Sequence, residues 1–524
     1  MSIGNLLKKE VRRYRPRPVA RAKYEAKARL PSPRELTRKA TAELDDRLGL
    51  AKGAEKFLNH IFPDHWSFLL GEVAMYSFVV LVLTGIFLTL YYVPSQHVVV
   101  YHGSFVTLRG QKMSEAYESV LHISLSVRMG LMMRQVHHWS AEVFIGAVVV
   151  HCCRIFFTSA YRRPRELNWC IGVTMLLLAI ANGYLGYSIL DDTLAGSGVR
   201  IGYSICESIP FVGSYLATFI WGGQFPGKYW IHRFYIAHVF LVPLLIMGLL
   251  GVHLLLIFRQ EHTQWPKKGR REDNVVGSPL WPVFAAKTTG LFFMVGSVLC
   301  LFGGLFQIEP VWALGPYNPP VGPDAAQPDW YITWLEGALR VFPNWEWTGF
   351  GHTVPWMVFF PTVLFPLLTF GALYAWPWLE GWFMRDQVNH HLVVSPRYRP
   401  VHTAIGASFF SFYFMLFMAS GDDVIAKFFT VSLNQLVWAF RIGIFAVPCI
   451  VFLLAYGVCK DLQKVPDRKE LLRPVRVDLT ESGAFVPVLE GPSNGAMKEE
   501  LEPLEVPDAI VDPAKVGPVA GGDR

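Results

Sequence analysis

Two apolar segments of this sequence each carry a pair of histidines, namely His137 with His151 and His238 with His253. At about 100° per residue, a spacing of fourteen residues returns to within about 40° of the starting direction, and fifteen residues overshoot by about 60°. Each pair therefore shares one face of its helix. His138 lies roughly 140° from His151 around the helix, so we take His137 as the ligand and His138 as an accessory residue. Imidazoles in this pattern could bind metal at two levels.

The elements that position these histidines are predicted to be membrane-spanning helices. The chain has 524 residues, is 52% hydrophobic and 17% charged, and has a mean hydropathy of +0.31, which is typical of a membrane protein. A segment of about 20 apolar residues spans roughly 30 Å of hydrocarbon. We predict eight spans, near 68–93, 136–158, 170–190, 235–258, 287–308, 353–376, 403–419 and 434–459. The fold class is therefore all-α, a polytopic membrane protein with eight transmembrane helices.

The second and fourth spans carry the histidines, and they cross the membrane in the same direction. The first histidine of each span then lies at one depth and the second about 21 Å further along the axis. Neutral imidazoles facing each other across a helical bundle are the usual axial ligands of a six-coordinate electron-transfer haem. Zinc is disfavoured, since a structural site would need four ligands at one depth. The pattern predicts two haems, each ligated by two histidines, in a four-helix bundle formed by the first four spans.

Glycines and arginines give independent support for two flat, anionic cofactors. The fourteen-residue spacing recurs in glycines of the first and third spans, Gly71, Gly85, Gly172 and Gly186. A missing side chain lets a macrocycle approach the helix closely, although small-residue helix packing is the alternative. Arg134 precedes His137 by three residues, and Arg154 follows His151 by three. Both could pair with haem propionates or serve as interfacial anchors.

Charged connections predict the orientation of the spans. Lys and Arg are enriched in residues 1–60 and after the second, fourth and sixth spans, at 162–165, 267–271 and 385–399. Cytoplasmic loops carry such an excess, so both termini should be cytoplasmic. The net charge of +7 then reflects topology and anionic lipids, and no motif for nucleic acid is present.

We divide the chain into four regions. Residues 1–60 form a basic cytoplasmic region, 61–265 the dihaem bundle, 266–460 the remaining spans with an outer loop, and 461–524 a cytoplasmic tail. The tail is poor in apolar residues and contains scattered prolines, so we expect it to be partly disordered. The seven cysteines include no C-x-x-C pair, which leaves covalent haem attachment and dithiol chemistry unsupported.

These motifs resemble those of the cytochrome b subunit of bc1-type quinol:cytochrome c oxidoreductases. The matching strings are W-S-F-L-L-G at 66–71, L-T-G-I-F-L at 83–88, R-x-x-H at 134–137, H-C-C-R at 151–154, N-W-C-I-G at 168–172, I-P-F-V-G at 209–213, I-W-G-G at 220–223 and R-F-Y-I-A-H at 233–238. The resemblance runs from about 60 to 450. The long basic N-terminus, the tail and G-Y-S-I-L-D-D at 186–192 are most similar to the actinobacterial menaquinol branch.

The resemblance implies an outer quinol site. The family motif P-E-W-Y is P-D-W-Y here, at 328–331 in the loop between the fifth and sixth spans. It implies that Asp329, Tyr331 and Glu336 act on quinol, with the two carboxylates as candidate proton acceptors. They are seven residues apart, hence on one face if the segment is helical, and helix capping or solvation is the alternative role. The aspartate is one methylene shorter than the family's glutamate.

Other site residues are assigned by the same resemblance. Trp169, in the N-W-C-I-G string, is expected to contribute to cofactor binding. Lys287 and Arg259 are candidates for the inner quinone site, with Lys287 preferred, although either could be a positive-inside anchor. At 186–192 many relatives have G-Y-x-L-P-W-G, and the missing Pro-Trp changes a wall of the outer pocket.

The activity implied by the resemblance is that of a respiratory translocase. Menaquinol would be oxidised outside, electrons would cross through two low-spin b-type haems, and a quinone would be reduced inside, which constitutes a Q cycle that contributes to proton translocation. The implied partners are a Rieske iron-sulfur subunit, a dihaem cytochrome c subunit, a cytochrome c oxidase in a supercomplex, a second copy of the chain, and the lipids of the plasma membrane. The chain would be active only with its Rieske and cytochrome c subunits.

Two other classes of protein share part of this pattern. A dihaem anchor of a dehydrogenase or hydrogenase would have the four histidines, but eight spans and an outer P-D-W-Y loop are not expected there. A proton-coupled transporter would explain intramembrane histidines without haem, and it predicts internal repeats and broken helices. An absorption spectrum discriminates between these classes.

Overall fold

The computed structural model describes residues 33–48, 50–267, 269–320, 327–464, 476–479 and 485–488. Our expectations for the first 32 residues and for most of the 461–524 tail lie outside this described part. Within the tail, Arg476–Leu479 and Phe485–Val488 pair as an antiparallel hairpin.

Eight long apolar helices dominate the described part of the chain. In chain order, α1 to α8 are Leu70–Thr89, Gly130–Phe157, Glu166–Ser188, Trp230–Gln260, Leu280–Leu305, Trp356–Met384, Pro400–Ser420 and Leu433–Lys464. Each is long and apolar enough to cross a membrane. All eight predicted spans overlap one of these helices, so the all-α, polytopic fold class is confirmed.

Three of the long helices contain a π-helical turn close to a proline. The turns lie at Ala237–Leu241 in α4, Leu280–Phe284 in α5 and Phe360–Leu364 in α6. Proline has no backbone N–H and its ring clashes with the preceding turn, so it interrupts the regular hydrogen-bond ladder. Such wider turns are rare in proteins, and those that occur often lie at functional sites. The turn in α4 includes one of the four histidines.

Shorter elements form the connections. Short helices lie at Pro33–Leu48, Leu50–Leu58, Glu115–Leu125, Thr193–Glu207, Gly213–Trp221, Val311–Leu314, Trp330–Val341 and Asp422–Phe429, and 3₁₀ turns at Trp66–Phe68, Val106–Leu108 and Pro396–Tyr398. Three further antiparallel strand pairs are Ile61–Phe62 with Ser278–Pro279, Val98–Val100 with Lys112–Ser114, and Trp347–Gly349 with His352–Val354. We call Trp330–Val341 the loop helix.

The first four long helices surround an apolar layer. α1 packs along α2, α3 packs on α4, and α5 lies against both α1 and α2. Buried side chains from all four helices meet in one cluster that includes Phe78, Phe144, Leu176 and Ile246. In sequence these residues fall between the paired glycines or histidines of their helices. The layer therefore separates two levels, which we call the outer level (His137, His238) and the inner level (His151, His253).

Candidate functional site

The outer level consists of two imidazole rings that face each other across the bundle. The ring centroids of His137 and His238 are 6.2 Å apart, and the ring planes are inclined by 81°. His238 Nδ1 donates to the carbonyl of Asn182 over 3.0 Å. Thr84 donates its hydroxyl to Val80, so its oxygen is free to accept from His137 Nδ1, 2.9 Å away. Since both Nδ1 atoms are used, each Nε2 is left as a ligand atom.

The π turn explains how an odd spacing still aligns the histidines of α4. Fifteen residues of regular helix would overshoot by about 60°. The π turn at Ala237–Leu241 adds one residue without adding a turn of helix. A spacing of fifteen in α4 is therefore equivalent to the spacing of fourteen in α2.

A cavity of about 730 Å³ surrounds the outer histidines, within the range of pockets that hold small-molecule ligands. Imidazole–metal bonds are about 2 Å long, so the separation of the two rings leaves room for one metal ion between them. Two cavity-lining glycines touch the rings: a Cβ would lie 3.3 Å from His137 Cε1 at Gly85 and 2.3 Å from His238 Cε1 at Gly186. A side chain at Gly186 would displace the imidazole. The residues present at the outer level fit a bis-histidine haem.

The inner level is similar in outline but differs in its hydrogen bonds. A Cβ at Gly71 would lie 3.1 Å from His151 Cε1, whereas one at Gly172 would meet nothing within 4 Å in the described part of the protein. The Nδ1 atom of His151 is buried and has no hydrogen-bond partner among the described residues. The open space beside Gly172 and the apolar surroundings of both rings are compatible with a second flat cofactor.

An arginine at each level has at least one buried nitrogen without a hydrogen-bond partner among the described residues. At the inner level, Nε and Nη2 of Arg154 are buried without a partner in the described residues, and the guanidinium lies 4.1 Å from the centre of the Phe68 ring. At the outer level, Arg134 Nη2 donates to the carbonyl of Glu309 over 3.0 Å, but its Nε has no partner within that same part of the chain. Buried guanidinium groups need acceptors, and carboxylates such as haem propionates suit their fork geometry.

Next to the outer histidines lies a group of acidic side chains around His138. His138 Nε2 is 3.4 Å from Asp329 Oδ1 and 3.5 Å from Glu142 Oε1, and its Nδ1 is 3.8 Å from Glu309 Oε2. Tyr331 donates its hydroxyl to Asp329 Oδ2 over 2.8 Å. We call His138, Glu142, Glu309, Asp329 and Tyr331 the outer acidic cluster. Asp329 and Tyr331 also line the cavity of the outer histidines, so the cluster adjoins that cavity.

The pKa values of the two loop carboxyls of this cluster, Glu309 and Asp329, are shifted in opposite directions. Burial raises the pKa of Glu309 to about 8, an effect that the nearby His138 only partly opposes. Burial also acts on Asp329, but the contact with His138 and the hydrogen bond from Tyr331 outweigh it and hold the pKa of Asp329 below its usual range. A ring nitrogen of His138 and one carboxyl oxygen each of Glu309 and Asp329 all lie within 4.8 Å of one another. The set is compact enough to pass a proton between its members.

The loop that carries Glu309 is fixed to α2 by side chains next to the outer histidine. Gln135 donates to the carbonyl of Ile308 and accepts from its N–H, both over 2.8 Å. Trp139 Nε1 donates to the carbonyl of Phe306 over 2.7 Å. Glu309 itself has φ of 43°, a left-handed backbone that is unfavourable for a residue with a side chain. These bonds hold Glu309 against His138 despite the strain.

Glu336 is not brought to this cluster. Its Oε1 accepts from Arg340 Nη2 over 2.7 Å, and Arg340 also pairs with Asp422 and Asp423. We expected Asp329 and Glu336 on one helix face. Asp329, however, precedes the first helical residue and has an extended ψ of 142°, so it points to His138 while Glu336 points toward Arg340.

The remaining predicted residues have structural partners. Trp169 Nε1 donates to the carbonyl of Leu373 over 2.7 Å, which fastens α3 to α6. Lys287 Nζ pairs with Asp64 Oδ1 over 2.7 Å, and both side chains are about half exposed. At the end of the 186–192 segment, directly after the positions of the missing Pro-Trp, Asp192 caps the helix Thr193–Glu207 by accepting from the N–H groups of Leu194 and Ala195.

Two members of the outer acidic cluster were missed from the sequence. Glu142 lies one helical turn after His138, inside a predicted span, and an acidic residue at such a position could have been flagged because charges in a membrane are costly. Glu309 lies in a loop of irregular structure, where no periodic pattern marks it. Its proximity to His138 depends on the tertiary contacts of α2.

Comparison with known proteins places these features in one family. A family model described as "Cytochrome b(N-terminal)/b6/petB" matches residues 142–316. The chain is 42% identical over 477 residues to the "Cytochrome bc1 complex cytochrome b subunit" of Streptomyces coelicolor, covering 90% of this chain and 86% of that protein. The protein of the same description from Mycobacterium tuberculosis is 44% identical over 471 residues, covering 90% and 84%.

A similar relative and a solved structure extend this result. The corresponding subunit of Corynebacterium efficiens is 43% identical over 461 residues, with 88% of this chain and 83% of that protein covered. A chain of the structure "Hyperthermophilic respiratory Complex III" superposes with a TM-score of 0.56 at 21% sequence identity. It covers 79% of this chain and 99% of that chain, and it supports the fold alone.

Proposed function

Because this chain belongs to the cytochrome b subunits of the bacterial bc1 complex, we propose that it oxidises menaquinol on the outer side of the plasma membrane and reduces a quinone on the inner side. The single observation that carries this proposal is the pair of facing rings, His137 and His238, beside the outer acidic cluster. It combines a ligand pair for a redox cofactor with buried groups able to accept protons.

The family binds b-type haem, and we assign one haem to His137 with His238 and another to His151 with His253. Arg134 and Arg154 would hold their propionates. Bound there, such haems supply one-electron redox chemistry at two depths in the membrane. The protein's own contribution is to fix the tautomers of the outer rings and to keep the two levels apart with an apolar layer.

On the outer side, the residues of this chain would take the protons that quinol oxidation releases. Asp329 ionises readily, so it is ready to accept a proton from a quinol hydroxyl, and Tyr331 fixes the orientation of its carboxylate. His138 and Glu309 would then carry the proton away from the cavity. Glu336 would not accept the proton directly, because it anchors the loop helix through its ion pair with Arg340.

The chain is a subunit of a multi-subunit assembly. We propose a Rieske subunit and a dihaem cytochrome c subunit as its electron-accepting partners, a second copy of the chain, and a cytochrome c oxidase in a supercomplex. The excess of Lys and Arg after α2, α4 and α6 favours both termini in the cytoplasm. Lys287, near the cytoplasmic end of α5, would then belong to the inner quinone site.

An optical experiment tests the proposal directly. Reduced-minus-oxidised spectra of the purified complex should contain two b-type components, both reducible by menaquinol. His137→Ala should remove the outer component and leave the inner one, because only the outer pair loses a ligand. The matched control His102→Ala changes an exposed histidine in an outer loop and should keep both. Loss of both components, or of neither, in His137→Ala would show the histidine pairing to be wrong.

A further inference from the structure

A carboxyl group lies among the apolar helices on the inner side, outside the sites already described. Glu72 belongs to the first turn of α1 and is partly buried against α5. Thr288 of α5 donates its hydroxyl to Glu72 Oε2 over 2.5 Å, and the Tyr76 hydroxyl contacts Thr288 Oγ1. A carboxyl within a membrane-spanning helix is costly and is a functional residue by default.

Helix-end electrostatics alone do not account for this arrangement. An acidic side chain in a first turn can be stabilised by the helix dipole or by backbone N–H groups. Glu72 instead binds a side chain of another helix, and Tyr76, one turn further along α1, completes a three-residue chain of hydroxyl and carboxyl groups. Such a chain can conduct a proton, because each hydroxyl both donates and accepts.

The location of Glu72 links the inner histidines with the inner water. The preceding residue, Gly71, packs against the ring of His151. The residue before Thr288 is Lys287, whose ammonium pairs with Asp64 over 2.7 Å and contacts Ser278 over 3.3 Å. With about half of each side chain exposed, the Lys287–Asp64 pair is open to water. Glu72 therefore lies between a water-accessible ion pair and the inner level.

We propose that Glu72, held by Thr288 and Tyr76, is the proton donor of the inner quinone site, and that the Lys287–Asp64 pair is where protons enter from the inner water. This inference rests on the proposed function, because it requires a quinone to be reduced near the inner level. Part of the Glu72 side chain is accessible, which suits a substrate that approaches from the lipid.

The chemistry balances with the groups named. Reduction of one quinone to quinol takes two electrons and two protons, one on each carbonyl oxygen. The electrons come, one at a time, from quinol oxidised on the outer side. With each electron, the Glu72 carboxyl breaks its O–H bond, gives its proton to a quinone oxygen and becomes a carboxylate. It regains a proton from the inner water before the next transfer.

The test uses the whole complex containing Glu72→Gln. Quinol should still reduce the b-type absorbance through the outer site at the wild-type rate. Reoxidation of that absorbance by added quinone should slow at least tenfold, so reduced cytochrome b accumulates during turnover. Glu72→Asp should restore part of the reoxidation rate, because it keeps the carboxyl. The matched control, Glu55→Gln, changes an exposed glutamate near the same membrane surface and should behave as wild type.

A spectroscopic measurement separates proton donation from a merely structural role. The infrared difference spectrum between the oxidised and reduced complex should contain a carboxylic-acid C=O band that is lost in Glu72→Gln and unchanged in Glu55→Gln. Normal reoxidation and an unchanged band in Glu72→Gln would overturn the inference. If quinol reduces no b-type absorbance even in the wild-type complex, the proposed function fails instead, so the two failures are distinguishable.

Discussion

The outer and inner levels each bring two histidines together, but the charged side chains beside the two pairs differ. At the outer level, three carboxyl groups, Glu142, Glu309 and Asp329, surround His138 beside the ligand pair. Beside the inner level lies a guanidinium, Arg154, with two of its nitrogens unpartnered among the described residues. The carboxyls lie at the outer level, where quinol oxidation would release protons. The cation lies at the inner level, where it could pair with a haem propionate.

This contrast indicates how one bundle can serve two opposite reactions. Oxidation of a quinol needs bases close to the substrate, and in the proposed function the outer acidic cluster would supply them. Reduction of a quinone needs a proton donor, and in our proposal that donor is the carboxyl of Glu72, near the exposed Lys287–Asp64 pair. The histidines alone do not distinguish the two directions, whereas their neighbours do.

The largest expected effect is on the rate of quinol oxidation, and it distinguishes Asp329, inside the outer acidic cluster, from Glu336, outside it. Asp329→Asn should slow quinol oxidation by about 100-fold or more, because a positioned base commonly contributes that much. Glu336→Gln should slow it far less, since Glu336 faces Arg340. The measurement is the rate of b-type absorbance reduction by menaquinol in the purified complex. Equal effects of the two variants would mean that the contact with His138 does not define the base.

The inner level should respond to its arginine while the outer level does not. Arg154→Gln removes a cation from the inner level, and this loss of positive charge favours the oxidised form of a haem bound there. The midpoint potential of that haem should fall by about 60 mV, which is a tenfold change in the equilibrium constant of a one-electron couple. A redox titration of both b-type components provides the measurement, with the outer component as an internal reference. Arg163→Gln, at an exposed position on the same end, serves as the control. A shift of the outer potential alone would reverse the assignment of levels.

A pH profile tests the role of Glu309. Its pKa of about 8 means that it is mostly protonated below pH 8 and becomes a proton-accepting carboxylate above it. Between about pH 7 and pH 9 its ionised fraction rises from about one tenth to nine tenths, so wild-type quinol oxidation should accelerate several-fold. Glu309→Gln should abolish this acceleration, and the exposed Glu346→Gln should retain it. An identical acceleration in Glu309→Gln would exclude this residue from the proton route.

The smallest effect concerns the open space at the inner level. Gly172→Ala adds a methyl group that meets nothing within 4 Å in the described protein, and alanine is the better helix former by about 1 kcal/mol. If a macrocycle fills this space, the variant should lose part of its inner haem despite the more stable helix. Gly296→Ala, in α5, adds a methyl at a similarly open position and should keep both haems. Haem content by pyridine haemochrome absorbance provides the measurement.

Much of the fold could be predicted from the sequence because it depends on local pattern. Hydropathy located all eight spans, since any helix that crosses a bilayer must be apolar over its whole length. Histidine spacing selected His137 rather than His138 as the ligand, and the ring of His137 does face His238. Glycine spacing predicted close approach of a macrocycle to the helices, and the structure places Gly71, Gly85 and Gly186 against the histidine rings.

The rest depends on contacts between distant segments. The role of His138 could not be deduced, because its partners Glu309 and Asp329 come from two separate parts of one long connection. The prediction that Asp329 and Glu336 share a helix face assumed that both residues are helical, but the helix begins at Trp330. The π turns also leave no periodic trace, since one extra residue in a uniformly apolar helix does not change its hydropathy.

In this bundle, the positions of the paired histidines do not depend on an exact number of residues between them. Because the widened turn at Ala237–Leu241 accommodates one surplus residue locally, the chain between the two histidines of α4 can lengthen while their side chains keep their positions in space. A search for related proteins that demands identical intervals between histidines in both helices would therefore discard genuine members. Distance along the helix axis, rather than the number of amino acids, is the quantity that such comparisons need to preserve.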